Sequence, residues 1–126
     1  MRKVIFTKDA PAPIGPYSQA IYIDSTLYVS GQIALDPHSG EMITSDISLE
    51  THRVLDNVKA ILIAADMDFS NIVKCSVFVR DIKEFATINS VYTTYFNTDG
   101  APARELVEVS ALPKGVNVEI SCIAHK

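Results

Sequence analysis

The stretch from residue 72 to residue 97, IVKCSVFVRDIKEFATINSVYTTYFN, decides the fold. Its first part, Ile72 to Arg80, is rich in β-branched and aromatic side chains and predicts a strand. Successive side chains of a strand point to opposite faces of a sheet. The consecutive apolar residues Val77, Phe78 and Val79 therefore indicate burial on both faces.

The second part of the stretch has a helical pattern. Asp81 and Glu84 stand in the spacing of a capping box, which predicts a helix from about Ile82 to Asn97. One face of this helix is apolar and consists of Phe85, Ile88, Val91, Tyr92, Tyr95 and Phe96. A strand and a helix of this kind predict a layered domain.

The rest of the chain extends the layered pattern. Another amphipathic helix is predicted from about Ile47 to Ala65, with Asp46 as its N-cap. Further strands are predicted at residues 4–7, 18–23, 27–33, 104–109 and 116–124. We therefore expect one α+β domain, residues 1–126, in which a mixed sheet of about six strands carries two helices on one face. The other face is left bare, and another subunit is the simplest cover for it.

Composition narrows the classes of function. The 126 residues are 48% hydrophobic and 21% charged, so the chain has enough apolar content for a core. The formal net charge of -4 gives no general attraction to phosphate, and nucleic acid is not expected as a partner. No apolar run approaches the roughly 20 residues that cross a bilayer, and no signal-like segment follows Met1. We therefore expect no membrane partner. We expect a cytoplasmic location.

Motif searches indicate neither a metal nor a nucleotide cofactor. The two cysteines lack CxxC spacing, the three histidines lack the spacing of metal ligands, and no Gly-rich or Walker nucleotide loop is present. Strand alternation groups Cys122 with Val118 and Ile120. It also groups Cys75 with Val73, Val77 and Val79. Both thiols are expected to be packed as small, inert apolar groups.

Two charged residues are candidate functional residues: Glu119, from strand alternation, and Arg104, from its position at the start of a strand. Glu119 lies opposite the apolar side of the last strand, where a partly buried carboxylate needs a cation, a hydrogen bond or a chemical role. Its ordinary interpretation is an exposed strand residue. Arg104 begins a strand after Pro102-Ala103, where its planar fork would be held rigidly enough to bind a carboxylate. Its ordinary interpretation is a surface arginine.

Three further polar residues are weaker candidates. Ser30 is predicted to share a face with Tyr28 and Gln32, facing either a polar cavity or solvent. Tyr17 follows a stiff Pro-Gly loop and is otherwise a packing residue. Asn89 interrupts the apolar surroundings of the second helix and is otherwise solvent-facing.

Several motifs together resemble one known family. They are APIGPYSQ at 12–19, SGQI at 30–33, LDNVKA at 55–60, FATIN at 85–89, PAR at 102–104 running on to VEV at 107–109, LPK at 112–114 and EI at 119–120. Over almost its whole length the chain resembles the reactive intermediate deaminase family, RidA/YjgF. The resemblance implies a chorismate-mutase-like fold assembled as a homotrimeric barrel, with ligand sites in the clefts between subunits. It also implies hydrolysis of enamine and imine intermediates, such as 2-aminoacrylate or 2-iminobutanoate, to 2-oxo acids and ammonia without a cofactor.

The same resemblance assigns roles to six residues: Tyr17, Ser30, Gly31, Asn89, Arg104 and Glu119. Arg104 would hold the substrate carboxylate, joined by the backbone N–H of Gly31. Glu119 would orient and deprotonate the attacking water, and Tyr17, Ser30 and Asn89 would position substrate or water. Burial would raise the pKa of Glu119 and Arg104 would lower it, and the sequence leaves the balance open.

One position departs from the family pattern. Leu106 stands where many relatives have a cysteine, two residues beyond Arg104 on the same strand face, which affects substrate range and not reaction type. The alternative function is that of a binding protein and not an enzyme: a regulatory trimer that binds a 2-oxo or imino acid without turnover. RNA cleavage, described for some relatives, fits badly with a charge of -4 and no catalytic histidine arrangement.

Overall fold

A single mixed sheet organises the molecule. The computed structural model describes residues 1–126, and its strands lie in the order β1-β2-β3-β6-β4-β5. All neighbouring strands are antiparallel except β4 and β5, which are parallel. The strand bounds are Lys3–Ile5 for β1, Ala20–Ile23 for β2, Thr26–Gln32 for β3, Ile72–Val79 for β4, Ala103–Glu108 for β5 and Val118–His125 for β6.

Helix α1 follows the prediction closely. It spans Ile47–Ala64, and the Oδ1 atom of Asp46 accepts a hydrogen bond from the backbone N–H of Leu49 at 3.0 Å. This bond satisfies one of the free donors at the helix start, as expected for an N-cap. Neither helix of the chain is long and apolar enough to cross a membrane.

Helix α2 is shorter than predicted. A 3₁₀ turn at Ile82–Glu84 leads into α2, which spans only Phe85–Tyr92, whereas the apolar stripe predicted a helix to Asn97. Beyond Tyr92 the hydroxyl groups of Thr93 and Thr94 donate to backbone carbonyls three residues earlier, and the backbone changes to three-residue hydrogen bonds. Threonine hydroxyls compete in this way with regular helix bonding, so the helix ends at the pair.

The core lies between the helices and one face of the sheet, here called the helix-covered face. In β6 the alternation was predicted correctly, because Val118, Ile120, Cys122 and Ala124 are buried. They pack with the apolar face of α1, which consists of Val54, Leu55, Val58, Ile61 and Leu62. Both helices thus cover the same side of the sheet.

The opposite side, here called the open face, has no cover within the chain. Its residues in β3, β4, β5 and β6 are Tyr28, Lys74, Ser76, Phe78, Glu105, Val107, Glu119, Ser121 and Ile123. Tyr28 is 49% exposed and Val107 is 42% exposed. The carboxylate of Glu105 accepts a hydrogen bond from Ser76 and forms a salt bridge with Lys74, with an N–O distance of 3.1 Å. The face is therefore a mixture of exposed apolar side chains and internally paired charge.

Two irregularities in the sheet overturn the simple alternation. The pairing of β3 with β6 shifts between Val29 and Gln32, so Gln32 is buried on the helix-covered face and does not accompany Ser30 and Tyr28 as predicted. The pairing of β4 with β6 shifts between Ile72 and Lys74, so Val73 is 50% exposed and does not share the face of Cys75. Each shift inserts an extra residue, which reverses the side-chain direction beyond it.

A buried carboxylate joins α1 to β6. Glu50 is fully buried, and its Oε2 atom accepts hydrogen bonds from the backbone N–H groups of Asn117 at 2.7 Å and Val118 at 3.1 Å. Its Oε1 atom accepts from the side-chain amide of Asn117 at 2.8 Å. Three donors to one carboxylate fix the start of β6 against the helix.

Candidate active site

Glu119 lies on the open face, directly against Gly31. It is paired with Phe78 across β6 and β4, and its carboxylate touches the Cα side of Gly31 so closely that a methyl group there would stand 2.8 Å from its Cδ atom. Glycine at position 31 therefore makes the room that the carboxylate occupies. Within the chain Glu119 has no salt-bridge partner, and burial raises the pKa of its carboxyl group.

Tyr17 and Ser30 lie together beside a groove. The groove has a volume of about 490 Å³, and both residues line it. The hydroxyl of Ser30 donates to the backbone carbonyl of Ser18 at 2.6 Å, which fixes its direction. Tyr17 is 50% exposed, so its ring is available to a ligand or to another chain.

The loop before Tyr17 is organised by a residue that was not among the predicted candidates. Gln19 is 2% exposed, and its side-chain amide donates to the backbone carbonyls of Thr7, Ala10 and Pro11. Its Oε1 atom accepts from the backbone N–H of Thr7 at 2.8 Å. A polar residue between Ser18 and the apolar strand β2 carries little signal by itself, and only the folded loop shows its role.

Arg104 and Asn89 form a second polar cluster, on the helix-covered side. The Nη1 atom of Arg104 donates to the Oδ1 atom of Asn89 at 2.7 Å. The guanidinium carbon lies 4.7 Å from the ring centroid of Tyr92 and 5.8 Å from that of Phe85. The two aromatic contacts were not predicted, although Phe85, Asn89 and Tyr92 recur at three- and four-residue spacing along α2.

These two clusters face away from each other within one chain. Arg104 is aligned with Cys75 in the parallel pair of β4 and β5, and Cys75 is buried under α2. Glu119 is aligned with Phe78, whose side chain points to the open face. Paired residues in neighbouring strands share a face, so Arg104 and Glu119 are on opposite sides of the sheet. The candidate residues therefore fall into two separate groups, here called half-sites: Glu119 against Gly31, with Ser30 and Tyr17 at the neighbouring groove, and Arg104 with Asn89.

Neither cysteine contributes a reactive group to a half-site. Cys75 and Cys122 are opposite each other in β4 and β6 and are 1% and 4% exposed. Burial raises the pKa of both thiols, so both stay protonated. Leu106 is partly buried against the core, on the same face as Arg104. No group of three or more His, Cys, Asp or Glu side chains is placed to hold a metal ion.

The fold places the chain in the class of small α+β proteins in which one mixed sheet carries both helices on one side. Residues 7–126 match the family model described as Endoribonuclease L-PSP. The chain belongs to this family, which is also known as YjgF/RidA. The family membership predicted from the motifs is thereby confirmed.

Individual relatives agree with this assignment. The chain is 48% identical over 124 residues to the 2-iminobutanoate/2-iminopropanoate deaminase of Bos taurus, a match that covers 98% of this chain and 90% of the relative. A Rid-family protein of Yersinia pestis, YyfA, superposes with a TM-score of 0.96 at 45% identity and full coverage of both chains. The Escherichia coli protein TdcF, crystallised with bound serine, superposes with a TM-score of 0.93 at 42% identity over 98% of each chain.

Proposed function

We propose that the chain is a deaminase that hydrolyses 2-imino acids, such as 2-iminobutanoate, to 2-oxo acids and ammonia. The observation that carries the proposal is the pair of half-sites, one a rigidly held guanidinium and the other a half-buried carboxylate without a cation in its own chain. The name of the Bos taurus relative supports the substrate class. We extend the proposal to a cytoplasmic location, where dehydratases that depend on pyridoxal phosphate would release such substrates.

The proposed reaction needs only positioning and a base. Arg104 binds the substrate carboxylate through two parallel hydrogen bonds, joined by the backbone N–H of Gly31. Glu119 takes a proton from water while the water oxygen attacks the C=N carbon. A protonated imine thereby becomes a neutral carbinolamine. Glu119 returns its proton to the nitrogen and then takes the hydroxyl proton as the C–N bond breaks, so that the C=O bond forms and ammonia leaves, carrying that last proton away as ammonium. Tyr17, Ser30 and Asn89 position substrate and water.

A second copy of the chain has to complete each site. Arg104 and Glu119 lie on opposite faces of one sheet, so one chain cannot present both to the same ligand. The open face, with Tyr28 and Val107 exposed, supports a partner at this surface. The family resemblance sets the number at three, in a chorismate-mutase-like barrel with a ligand cleft between each pair of subunits.

The first test supplies imino acid from a dehydratase and measures 2-oxo acid release with and without the protein. Acceleration at substoichiometric protein is expected. Arg104→Lys is expected to abolish most of this acceleration, because the lysine ammonium group cannot reproduce the planar, two-pronged hydrogen bonding of the guanidinium. Glu119→Gln is expected to lower kcat on the order of 10²–10⁴-fold. Arg80→Lys and Glu41→Gln, at exposed positions, are the matched controls. Full activity in Arg104→Lys or Glu119→Gln refutes the role given to that residue.

The second test asks whether sites are shared between chains. Arg104→Lys and Glu119→Gln chains are unfolded together and refolded as a mixture. In a ring with shared sites, about one quarter of the sites regain both native residues, and activity returns. No recovery above the separate variants would show that Arg104 and Glu119 do not act across subunits.

The pH dependence of kcat follows from the environment of Glu119. Burial raises the pKa of this carboxyl group, and the bound substrate carboxylate offsets the charge of Arg104. The base must be ionised, so kcat is expected to fall as the pH is lowered through a midpoint above that of an ordinary glutamic acid. A midpoint at or below the ordinary value would show that burial does not control the base.

The regulatory alternative has its own support in TdcF, which was crystallised with a bound amino acid. Binding of 2-oxobutanoate in calorimetry without any acceleration of imine hydrolysis would favour it. RNA cleavage, which the family description names, is less well supported. His38, His52 and His125 lie apart, next to Asp9, Tyr95 and Thr26 respectively, and the net charge is -4.

A further inference from the structure

Arg104 is held by three side chains on one face of α2. Asn89 accepts one hydrogen bond from its Nη1 atom at 2.7 Å. The rings of Tyr92 and Phe85 lie 4.7 Å and 5.8 Å from the guanidinium carbon. A guanidinium within about 6 Å of a ring centroid is attracted to the ring face. The hydrogen bond fixes one nitrogen atom, whereas a ring that lies under the guanidinium carbon limits how far the whole group can tilt.

The ring of Tyr92, and not its hydroxyl, is the part of this residue that contacts Arg104. Tyr92 is 6% exposed, and its hydroxyl lies beside the thiol of Cys75, with no bond to Arg104. A thiol is a weak hydrogen-bond partner that belongs to the core, so the hydroxyl does not hold the guanidinium, and the contact with Arg104 is made by the ring. Phe85 is more distant from Arg104 and is 42% exposed, which leaves Tyr92 as the main stacking surface.

We infer that Tyr92 is a positioning residue, whose ring sets the plane in which the Arg104 guanidinium meets a ligand carboxylate. This inference rests on the proposed function, since it assigns a partner to the carboxylate-binding group. Two parallel hydrogen bonds form only when guanidinium and carboxylate are nearly coplanar. A guanidinium that is free to tilt would lose one of the two bonds and bind the ligand more weakly.

The test compares Tyr92→Leu, Tyr92→Phe and the matched control Tyr95→Leu. Tyr95 is three residues farther on, and its ring packs against His52 and Phe69 and not against Arg104. The Kd for 2-oxobutanoate is measured by calorimetry, and KM and kcat by the dehydratase-coupled assay. Tyr92→Leu is expected to raise Kd and KM about tenfold with little change in kcat. Tyr92→Phe keeps the ring and is expected to bind as the wild type does, and so is Tyr95→Leu.

A spectroscopic measurement follows the guanidinium without any ligand. The guanidinium carbon of Arg104 lies 4.7 Å from the ring centroid of Tyr92, so ring shielding is expected to shift the NMR resonance of the Arg104 Nε–H proton upfield. The shift is expected to persist in Tyr92→Phe and Tyr95→Leu and to be lost in Tyr92→Leu. A general loss of packing would not produce this pattern, because both leucine variants remove a large aromatic side chain.

The outcomes separate this inference from the proposed function. If Arg104→Lys weakens binding but Tyr92→Leu changes neither Kd nor the Arg104 resonance, the role of Tyr92 is refuted and the proposed function stands. If Tyr92→Phe loses as much affinity as Tyr92→Leu, the hydroxyl is the active part and the inference is wrong. If Arg104→Lys binds 2-oxobutanoate as the wild type does, the carboxylate-binding role of Arg104 fails. In that case the inference about Tyr92 fails with it, because no ligand carboxylate meets Arg104. An Arg104 resonance that is unchanged in Tyr92→Leu would show in addition that the ring does not hold the guanidinium.

Discussion

At the scale of single residues, the most informative contact is that between Gly31 and Glu119. Gly31 does not have a positive φ, so conformational freedom is not the reason for a glycine at this position. The reason is the absence of a side chain. A methyl group at position 31 would overlap the carboxylate of Glu119. One residue therefore controls where the proposed base is placed.

Gly31→Ala is expected to displace Glu119 and to destabilise the protein by about 1–3 kcal/mol, the usual cost of overpacking. The measurement is urea unfolding of Gly31→Ala, Glu119→Ala and the double variant. The cost of the extra methyl group should fall in the Glu119→Ala background, because the overlapping atoms are gone. Equal costs in both backgrounds would mean that residue 31 meets something other than Glu119.

The two cysteines lead to a second residue-scale prediction. Both are buried and their pKa values are raised, so neither is expected to react with iodoacetamide at neutral pH in the native protein. Mass spectrometry should find no adduct before unfolding and one on each thiol after it. Rapid alkylation with loss of activity, prevented by 2-oxobutanoate, would place Cys75 or Cys122 in the site.

At the scale of elements, Glu50 is the polar link between α1 and β6. Glu50→Ala would leave the backbone N–H groups of Asn117 and Val118 buried without an acceptor. We expect a loss of about 2–4 kcal/mol in the free energy of unfolding. Urea denaturation measures it, with Glu41→Ala as the exposed control. The free energy of unfolding of Glu50→Gln, which keeps one acceptor oxygen, should lie between those of the wild type and Glu50→Ala. A Glu50→Ala variant as stable as the wild type would show that Glu50 does not link α1 to β6.

The elements also show how far sequence reasoning reaches. Helix α1 and its N-cap Asp46 were predictable because amphipathic spacing and capping are local signals. The end of α2 at Tyr92 was not predictable. The apolar stripe continues beyond it, whereas the hydroxyl groups of Thr93 and Thr94 interrupt the helix. Glu50 was missed because its partners in β6 are distant along the chain, and no local pattern indicates them.

The candidate site was predictable to a similar degree. The face of Glu119 followed from alternation, since β6 is regular over its length. The face of Gln32 did not, because the pairing shift in β3 depends on its neighbour β6. The contact of Arg104 with the ring of Tyr92 forms only when α2 and β5 pack together. The periodicity of apolar residues in the sequence does not predict such a contact between two elements.

At the scale of the whole molecule, the open face predicts self-association. Sedimentation at micromolar concentration is expected to show a trimer. Val107→Asp, which places a charge on this face, should shift the protein toward smaller species and reduce activity in parallel. Leu49→Asp is the control, since Leu49 is 56% exposed on α1 and away from the open face. A compact monomer in the wild type would remove the shared site as well as the trimer.

The opposed half-sites also affect how the proposed activity depends on the amount of protein. Under the proposed sharing of sites, a single chain carries Arg104 on one side of its sheet and Glu119 on the other, and it is expected to be inactive until it associates with other copies. Below the dissociation constant of the assembly, the reaction rate then falls more steeply than the protein concentration. Dilution alone is then expected to remove the activity without any inhibitor, so the proposed mechanism makes the activity per chain depend on the abundance of the protein.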